Sequence, residues 1–327
     1  AFVTGPDSVG EFTGEAVSRF ELGGSGIHDR RTGVAALVVR DEVIARDALV
    51  ALLSYLPDHH LADPQRWERL DDRDRPSSIA AQTIPDRPNA SYDVRTIIDD
   101  VVDAGSRLEL RAGYAANLVT ALATLDARPI GIVANQPMHR AGTIDIEASR
   151  KAARFIAWCD AFNLPIVTLV DTPGFEPGRD LEWRGMIRHG AELVHAYAAA
   201  TVPRLCVVMR KAYGGAYIVM DSRGIGNDLT VAWPTARIAV MGGAPAVQIL
   251  NGKRLRAHDP ATRAAAEAEL VHAYEAEFDN PYRAAERGLV DAVVAPDRTR
   301  AVLCDALDVL ATKRDQQPAR RHSNTPL

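Results

Sequence analysis

The chain has 327 residues, 47% of them hydrophobic, with 38 Lys and Arg against 43 Asp and Glu. That is enough apolar material to bury a large core, as one big domain or a domain with an appendage. The formal net charge of −5 argues against a nucleic-acid partner, and no apolar run approaches the roughly 18 residues of a membrane span.

The first ten residues, AFVTGPDSVG, carry neither a basic nor an apolar stretch and do not read as a secretory signal. Residues 1–57 contain a strand-like run, Gly33 to Val39, and then a helical pattern with Ala48, Leu49, Leu52 and Leu53 on one face. They are too few for a domain and read as the tail of something larger. Residues 58–91 are rich in charge and proline without a period, as an extended linker would be. His59-His60 lies there with no further ligand at metal spacing, so no metal is expected.

From Tyr92 onward, apolar runs alternate with amphipathic stretches. Pro129–Ala134, Pro165–Val170, Pro203–Met209 and Arg237–Met241 read as strands; Ala148–Phe162 and Met186–Ala200 read as helices. A last helix presents Leu303, Ala306, Leu307 and Leu310, with Asp297 as its expected N-cap. Continuous apolar strands between helices predict an α/β fold whose sheet is covered on both faces. Cys159, Cys206 and Cys304 each sit in an apolar segment and read as buried thiols in a reducing, cytoplasmic compartment.

Three strand ends carry unusual residues: Asn135-Gln136-Pro137, Asp171-Thr172-Pro173-Gly174-Phe175, and Arg210-Lys211-Ala212-Tyr213-Gly214-Gly215-Ala216-Tyr217. Loops beyond the carboxyl ends of successive strands point to one crevice. Gly214-Gly215-Ala216 leads from a strand into a helix, where backbone N–H groups lack intrahelical partners and can serve as an oxyanion hole. The alternative is a tight turn that needs small residues only for packing. No phosphate loop, dinucleotide fingerprint or nucleophile elbow occurs. His189 reads as a general base or as a helix residue bonded to a neighbouring loop. Arg210-Lys211 either attracts an anion or pairs with loop carboxylates, and Asp145 and Glu147 read as the start of the next helix.

Taken together and in order, these segments resemble the biotin-dependent carboxyltransferases, nearest to the β subunits of propionyl-CoA and acetyl-CoA carboxylases. The resemblance runs from Tyr92-Asp93-Val94-Arg95 through GIVANQP, KAARFIAWCDAFNLPIVTLVDTPGF, IRHGAELVHAYAAATVP, RKAYGGAY, AWPTARIAVMG and NPYRAAERGLVDAVV to residues 321–327. It implies a crotonase-like β-β-α superhelix. Residues 92–327 would form a C-terminal carboxyltransferase half, and 1–57, with Glu21-Leu22-Gly23-Gly24, His28 and Thr32-Gly33-Val34-Ala35, the end of an N-terminal half.

The resemblance also implies transfer of a carboxyl group from carboxybiotin, carried on a partner protein, to the α carbon of a short acyl-CoA. Cofactor and substrate handle the proton themselves, so no side-chain base is required. Gly215 and Ala216 would supply the biotin-side oxyanion hole. Gly214, Asn135, Gln136 and Ile218 would contact substrate, within an acyl-CoA pocket drawn partly from residues 103–136. Where propionyl-type enzymes carry Asp, this chain has Ile218, closer to the acetyl-accepting relatives. Expected partners are acyl-CoA, a biotin carboxylase and biotin carboxyl carrier subunit, and further copies of the chain, as a hexamer. Alternatives are a biotin-dependent decarboxylase or transcarboxylase subunit, a non-catalytic scaffold, and, last, an enoyl-CoA hydratase or isomerase, for which no acidic pair is found.

Overall fold

The computed structural model describes residues 1–313 except 86 and 88, together with 315 and 325. Its labelled elements in chain order are α1 (Glu42–Leu53), α2 (Ser78–Thr83), α3 (Val94–Val101), β1 (Leu108–Leu110), β2 (Leu118–Leu125), β3 (Arg128–Asn135), α4 (Ile146–Ala161), β4 (Ile166–Thr172), α5 (Met186–Ala199), β5 (Arg204–Tyr213), α6 (Gly214–Val219), β6 (Leu229–Ala232), β7 (Arg237–Ala239), α7 (Gly243–Arg256), α8 (Pro260–Phe278), α9 (Pro281–Glu286), β8 (Ala292–Val293) and α10 (Thr299–Val309).

The strands form one sheet in the order β1-β2-β3-β4-β5-β6-β8, with β7 on β5. β1, β2 and β3 are antiparallel neighbours; every later pairing is parallel. Side chains of alternate strand residues enter two cores. On one face Val133, Ile166, Val170, Cys206 and Val208 meet Phe155, Ile156 and Cys159 of α4 and Leu193 and Tyr197 of α5. On the other, Ile132, Val167, Leu169, Leu205 and Val207 meet Ile97, Ile98 and Val101 of α3 and Leu303, Cys304 and Leu307 of α10. This double cover is why the strand sequences are apolar without alternation. It also buries all three thiols. Gly131 lets α4 come close, since a Cβ there would stand 2.4 Å from Cys159 Sγ.

β5 serves two partners. Its first half pairs β6 at Leu205–Val208, and its last three residues, Lys211 to Tyr213, pair β7. Between them the register with β4 slips by a bulge at Val170–Thr172. Bulges bend and twist a strand, and here the end of β5 keeps one pairing with β4, Thr172 to Ala212, and takes β7 as its other neighbour before the Gly214 turn.

Three expectations meet a different local structure. Gly33 to Val39 forms no strand: Gly33 is left-handed at φ +63°, the chain bends at Ala36, and a single backbone bond, Arg111 N–H to Ala36 O at 2.8 Å, ties the segment to the residue after the three-residue edge strand β1. Asp297 is not an N-cap; it lies in a 3₁₀ turn, Pro296–Arg298, and its carbonyl accepts from Ser77 N–H at 2.9 Å, while α10 has no side-chain cap. Residues 58–91 are mostly irregular, as their composition suggests, but they contain the short helix α2 and lie along the second core. Trp67 N–H reaches Ala127 O at 2.7 Å, Arg69 pairs with Asp126 at 2.8 Å, and buried Arg300 ties Asp72 O, Val101 O and Asp103 together at 2.6–3.0 Å. The closing segment 321–327, apart from Thr325, lies outside the described residues.

Candidate active site

The three strand-end loops are fastened to one another by buried polar groups. Asp171, at the end of β4, accepts from Arg210 Nε at 2.9 Å and from the Lys211 N–H at 3.1 Å. Arg210 also donates to Ala90 O at 2.9 Å and lies over the Tyr92 ring, 5.1 Å from its centroid. Burial pushes the Asp171 carboxyl above the usual carboxylate range, against the pull of Arg210. Arg210 is thus committed to internal pairing. Asn135 Oδ1 accepts from the Asp171 N–H at 3.2 Å, and its amide donates to Gly142 O at 3.3 Å. Gln136 donates to Asp93 at 2.6 Å and accepts from the Val94 and Met138 N–H groups, each at 3.3 Å.

These loops support the turn at the end of β5. Tyr213 is the N-cap residue of α6, and its hydroxyl donates to Asp279 Oδ2 at 2.8 Å. Gly214 has φ +57° and sits so close to Val240 that a Cβ would stand 3.0 Å from its carbonyl oxygen, so only glycine fits without strain. The ring of Phe175, from the loop after β4, fills the space between two other glycines. A Cβ on Gly215 would meet it at 3.4 Å and one on Gly190 of α5 at 3.2 Å. That loop is held by Ile144, through Ile144 N–H to Gly174 O at 3.1 Å and Glu176 N–H to Ile144 O at 2.9 Å. The first turn of a helix leaves its N–H groups without intrahelical acceptors. Among the described residues no acceptor from elsewhere reaches those of Gly215 or Ala216.

Gly214, Gly215 and Ile218 border a cavity of about 880 Å³, walled by Ile238 and Ala239 of β7, Leu250 of α7, Tyr274 and Phe278 of α8, and Leu289. Gly215 is exposed and Ile218 is 49% exposed. Ala216 lies beneath this wall at 0% exposure. Of the residues singled out from sequence, the fold therefore gathers Gly214, Gly215 and Ile218 at one opening, with Ala216 directly behind. Asn135 and Gln136 are fully buried in the loop network and do not line this cavity. His189 is set apart from it, its Nδ1 3.3 Å from Glu192 Oε2. Asp145 caps α4 through the Ala148 N–H at 2.8 Å.

Sequence reasoning missed Leu250, Tyr274 and Phe278. Helices α7 and α8 are weakly amphipathic, and the i, i+4 pair Tyr274–Phe278, with ring centroids 5.2 Å apart, was the available signal. The wedge at Phe175 was quoted as part of a loop, but its role depends on glycines 15 and 40 positions away in the chain.

A sheet covered on both faces, with a bulged strand that ends in a glycine turn at a cavity, defines the chain as a crotonase-like α/β superhelix. It belongs to the carboxyl transferase family, whose carboxyl transferase domain matches residues 1–325. It is 48% identical, over its full length, to the propionyl-CoA carboxylase carboxyltransferase subunit of Haloferax mediterranei, covering 63% of that protein. It is 44% identical to the methylmalonyl-CoA carboxyltransferase 12S subunit of Propionibacterium freudenreichii subsp. shermanii, covering 99% of this chain and 62% of that one. Among solved structures, the transcarboxylase 12S hexamer with methylmalonyl-coenzyme A and methylmalonic acid bound superposes with a TM-score of 0.95 at 44% identity, across 100% of this chain and 62% of that one. The chain thus spans under two thirds of the length of these relatives.

Proposed function

We propose that this protein is the carboxyltransferase of a biotin-dependent acyl-CoA carboxylase, acting on a short acyl-CoA such as propionyl-CoA or acetyl-CoA. The observation that carries the reading is exposed Gly215, whose N–H meets no acceptor among the described residues, at the mouth of an apolar cavity in a chain of the carboxyl transferase family. The residues present suit biotin, a compact, largely apolar bicycle with one strongly polar carbonyl. Ile238, Tyr274, Phe278 and Leu289 offer apolar walls, and the α6 turn offers backbone donors. When bound, biotin supplies the activated carboxyl group.

The chain's own contribution is to orient and to stabilise charge. The Gly215 N–H, with that of Ala216 behind it, would hold the carbonyl oxygen of bound biotin and stabilise negative charge there. Held by the rigid β5 end, these donors need no reorganisation at the moment of reaction. Ile218 presents an apolar surface at the opening and selects among acyl groups by size and polarity. Neither role needs a titrating side chain, which agrees with a site whose charged neighbours Asp171 and Arg210 are paired internally. The partners that follow are acyl-CoA, a biotin carboxylase with its biotin carboxyl carrier, and further copies of the chain in a hexamer; the setting is the cytoplasm. Among the described residues no helix is long and apolar enough to cross a membrane.

The 44% identity to a methylmalonyl-CoA carboxyltransferase favours one second reading, the same half-reaction run from a carboxylated acyl-CoA toward biotin. The half-reaction is reversible, so the partner separates them: an ATP-dependent biotin carboxylase that co-purifies with the chain marks the carboxylase.

The test of the oxyanion donor is Gly215→Pro beside Gly215→Ala. Proline removes the N–H at a first-turn position that tolerates its φ; alanine keeps the N–H and meets Phe175 at an ordinary 3.4 Å. Loss of one such donor is expected to lower the rate by about 10²–10³. Gly215→Ala should retain most activity, and both variants should keep the wild-type circular dichroism. A folded Gly215→Pro with near-normal turnover would remove this turn from the mechanism.

A further inference from the structure

On the other side of Tyr213 lies a second, smaller cavity of about 300 Å³, with the paired ends of β5 and β7 as its floor. Lys211 and Arg237 stand directly opposite each other in that pairing, and both line the cavity. Like charges placed so are unfavourable, and each calls for a counter-charge. Arg237 has one in Glu275, 2.8 Å away. Among the described residues Lys211 has none: the charged groups that act on its amine are Arg210, Arg237 and Asp171, and Asp171 is already engaged by Arg210 Nε and by the backbone N–H of Lys211 itself. A half-buried ammonium beside two guanidiniums, with no free carboxylate among the described residues, is an incomplete arrangement.

The opposite wall supplies the complement. Asp279 is buried at the same cavity, with Oδ2 taken by the Tyr213 hydroxyl and Oδ1 without any donor. Arg237 acts on both sides, being among the charged groups that face Lys211 and among those that face Asp279. One ligand chemistry answers all three groups: oxygens that accept from two cations and an O–H that donates to a carboxylate oxygen.

We propose that this cavity is a binding site for a small oxyanion that still carries a proton, of the hydrogen phosphate or hydrogen carbonate type, held by Lys211 and Arg237 with its hydroxyl on Asp279 Oδ1. Ile84, Pro234 and Pro281 close the sides of the cavity and limit the ligand to a small headgroup. The site is separate from the cavity at Gly215 and does not depend on the reading given to that turn.

The experiment is thermal unfolding of the full chain with added inorganic phosphate, at fixed pH and with ionic strength held constant by sodium chloride. A ligand that binds only the folded state raises the Tm. Phosphate is expected to raise the Tm of the wild type and to lose that effect in Lys211→Met and Arg237→Gln. Sulfate, which carries no proton at neutral pH, should raise it much less. In Asp279→Asn, where the amide can donate, sulfate should become as effective as phosphate. Lys211→Met loses an unpartnered cation and should melt no lower than wild type without phosphate, so its folding is not in question. No phosphate effect in the wild type, or an equal effect in Lys211→Met, overturns the site. Equal effects of phosphate and sulfate on the wild type overturn the protonated-oxyanion assignment.

Discussion

Gly214 and Lys151 each hold a position that another residue would fill at measurable cost. At Gly214, alanine has to adopt φ +57° with its Cβ 3.0 Å from Val240 O. The conformation alone costs about 1 kcal/mol, and the contact pushes the first turn of α6 away from β7. We expect Gly214→Ala to lower both Tm and turnover. Gly190→Ala should separate the two effects. Its Cβ meets the Phe175 ring at 3.2 Å and presses that ring toward Gly215, so turnover should fall while Tm changes little. Unchanged turnover in a folded Gly190→Ala would mean that Phe175 does not set the position of the turn. Lys151 makes a different point. Its ammonium is buried and donates to Leu118 O at 2.6 Å and Tyr114 O at 2.8 Å, and burial pushes its pKa from 10.5 down to about 7. The unfolded chain therefore binds the lysine proton more tightly. This group's contribution to stability rises with pH from about 7 to 10.5, by up to about 1.4 kcal/mol per pH unit. Denaturant unfolding of wild type and Lys151→Met at pH 7 and pH 9 should show the difference between them moving in favour of wild type. A constant difference would place the amine's titration outside that window.

Among the elements, the strap formed by residues 58–91 depends most on a single side chain. Arg300 is wholly buried and joins the strap at Asp72 O to α3 at Val101 O and to Asp103, whose carboxylate also caps the β2–β3 turn through the Asp126 and Ala127 N–H groups. Arg300→Met leaves Asp72 O and Val101 O without this donor and the half-buried Asp103 carboxylate without its cation, with only the Asp126 and Ala127 N–H groups still bonded to it. Breaking such a pair costs about 3–5 kcal/mol, so the expected result is a lower Tm and early proteolytic cleavage within 58–91; cleavage at the wild-type rate would show that the strap is held by other contacts. This segment marks where sequence stops being informative. Its charge reads as solvation, because nothing local reveals that Arg69 and Arg73 pair with Asp126 and Asp305 or that Arg75 also reaches Asp100. The central strands were legible because both faces are apolar, whereas β2, interrupted by Thr120 and Thr124, was not; Thr120 bonds Leu110 O at 2.9 Å. The glycine turn was legible because few other uses require two adjacent glycines after a strand. Asn135 and Gln136 looked like ligand contacts by position alone, and a buried amide that fastens loops has the same sequence signature as one that meets a ligand.

Among the described residues Phe12, Phe20, Leu49, Val50 and Leu53 are all more than half exposed. Large apolar side chains left open together mark a surface that a partner covers, and we expect sedimentation at micromolar concentration to give an oligomer. A monodisperse monomer would count against the proposed hexamer.

The cavity at Gly215 has two kinds of wall. One is the end of β5 with its bulge, continuous with both cores; the other is the α7–α8 hairpin, where Ile249, Leu250 and Phe278 remain substantially exposed. Mutational drift can therefore reshape one wall while the other stays fixed. Changes at Leu250, Tyr274 or Phe278 alter the room available to a guest without touching the residues that hold the sheet together. Substitutions there are therefore expected to shift the affinity for the guest proposed above before they shift the stability of the fold.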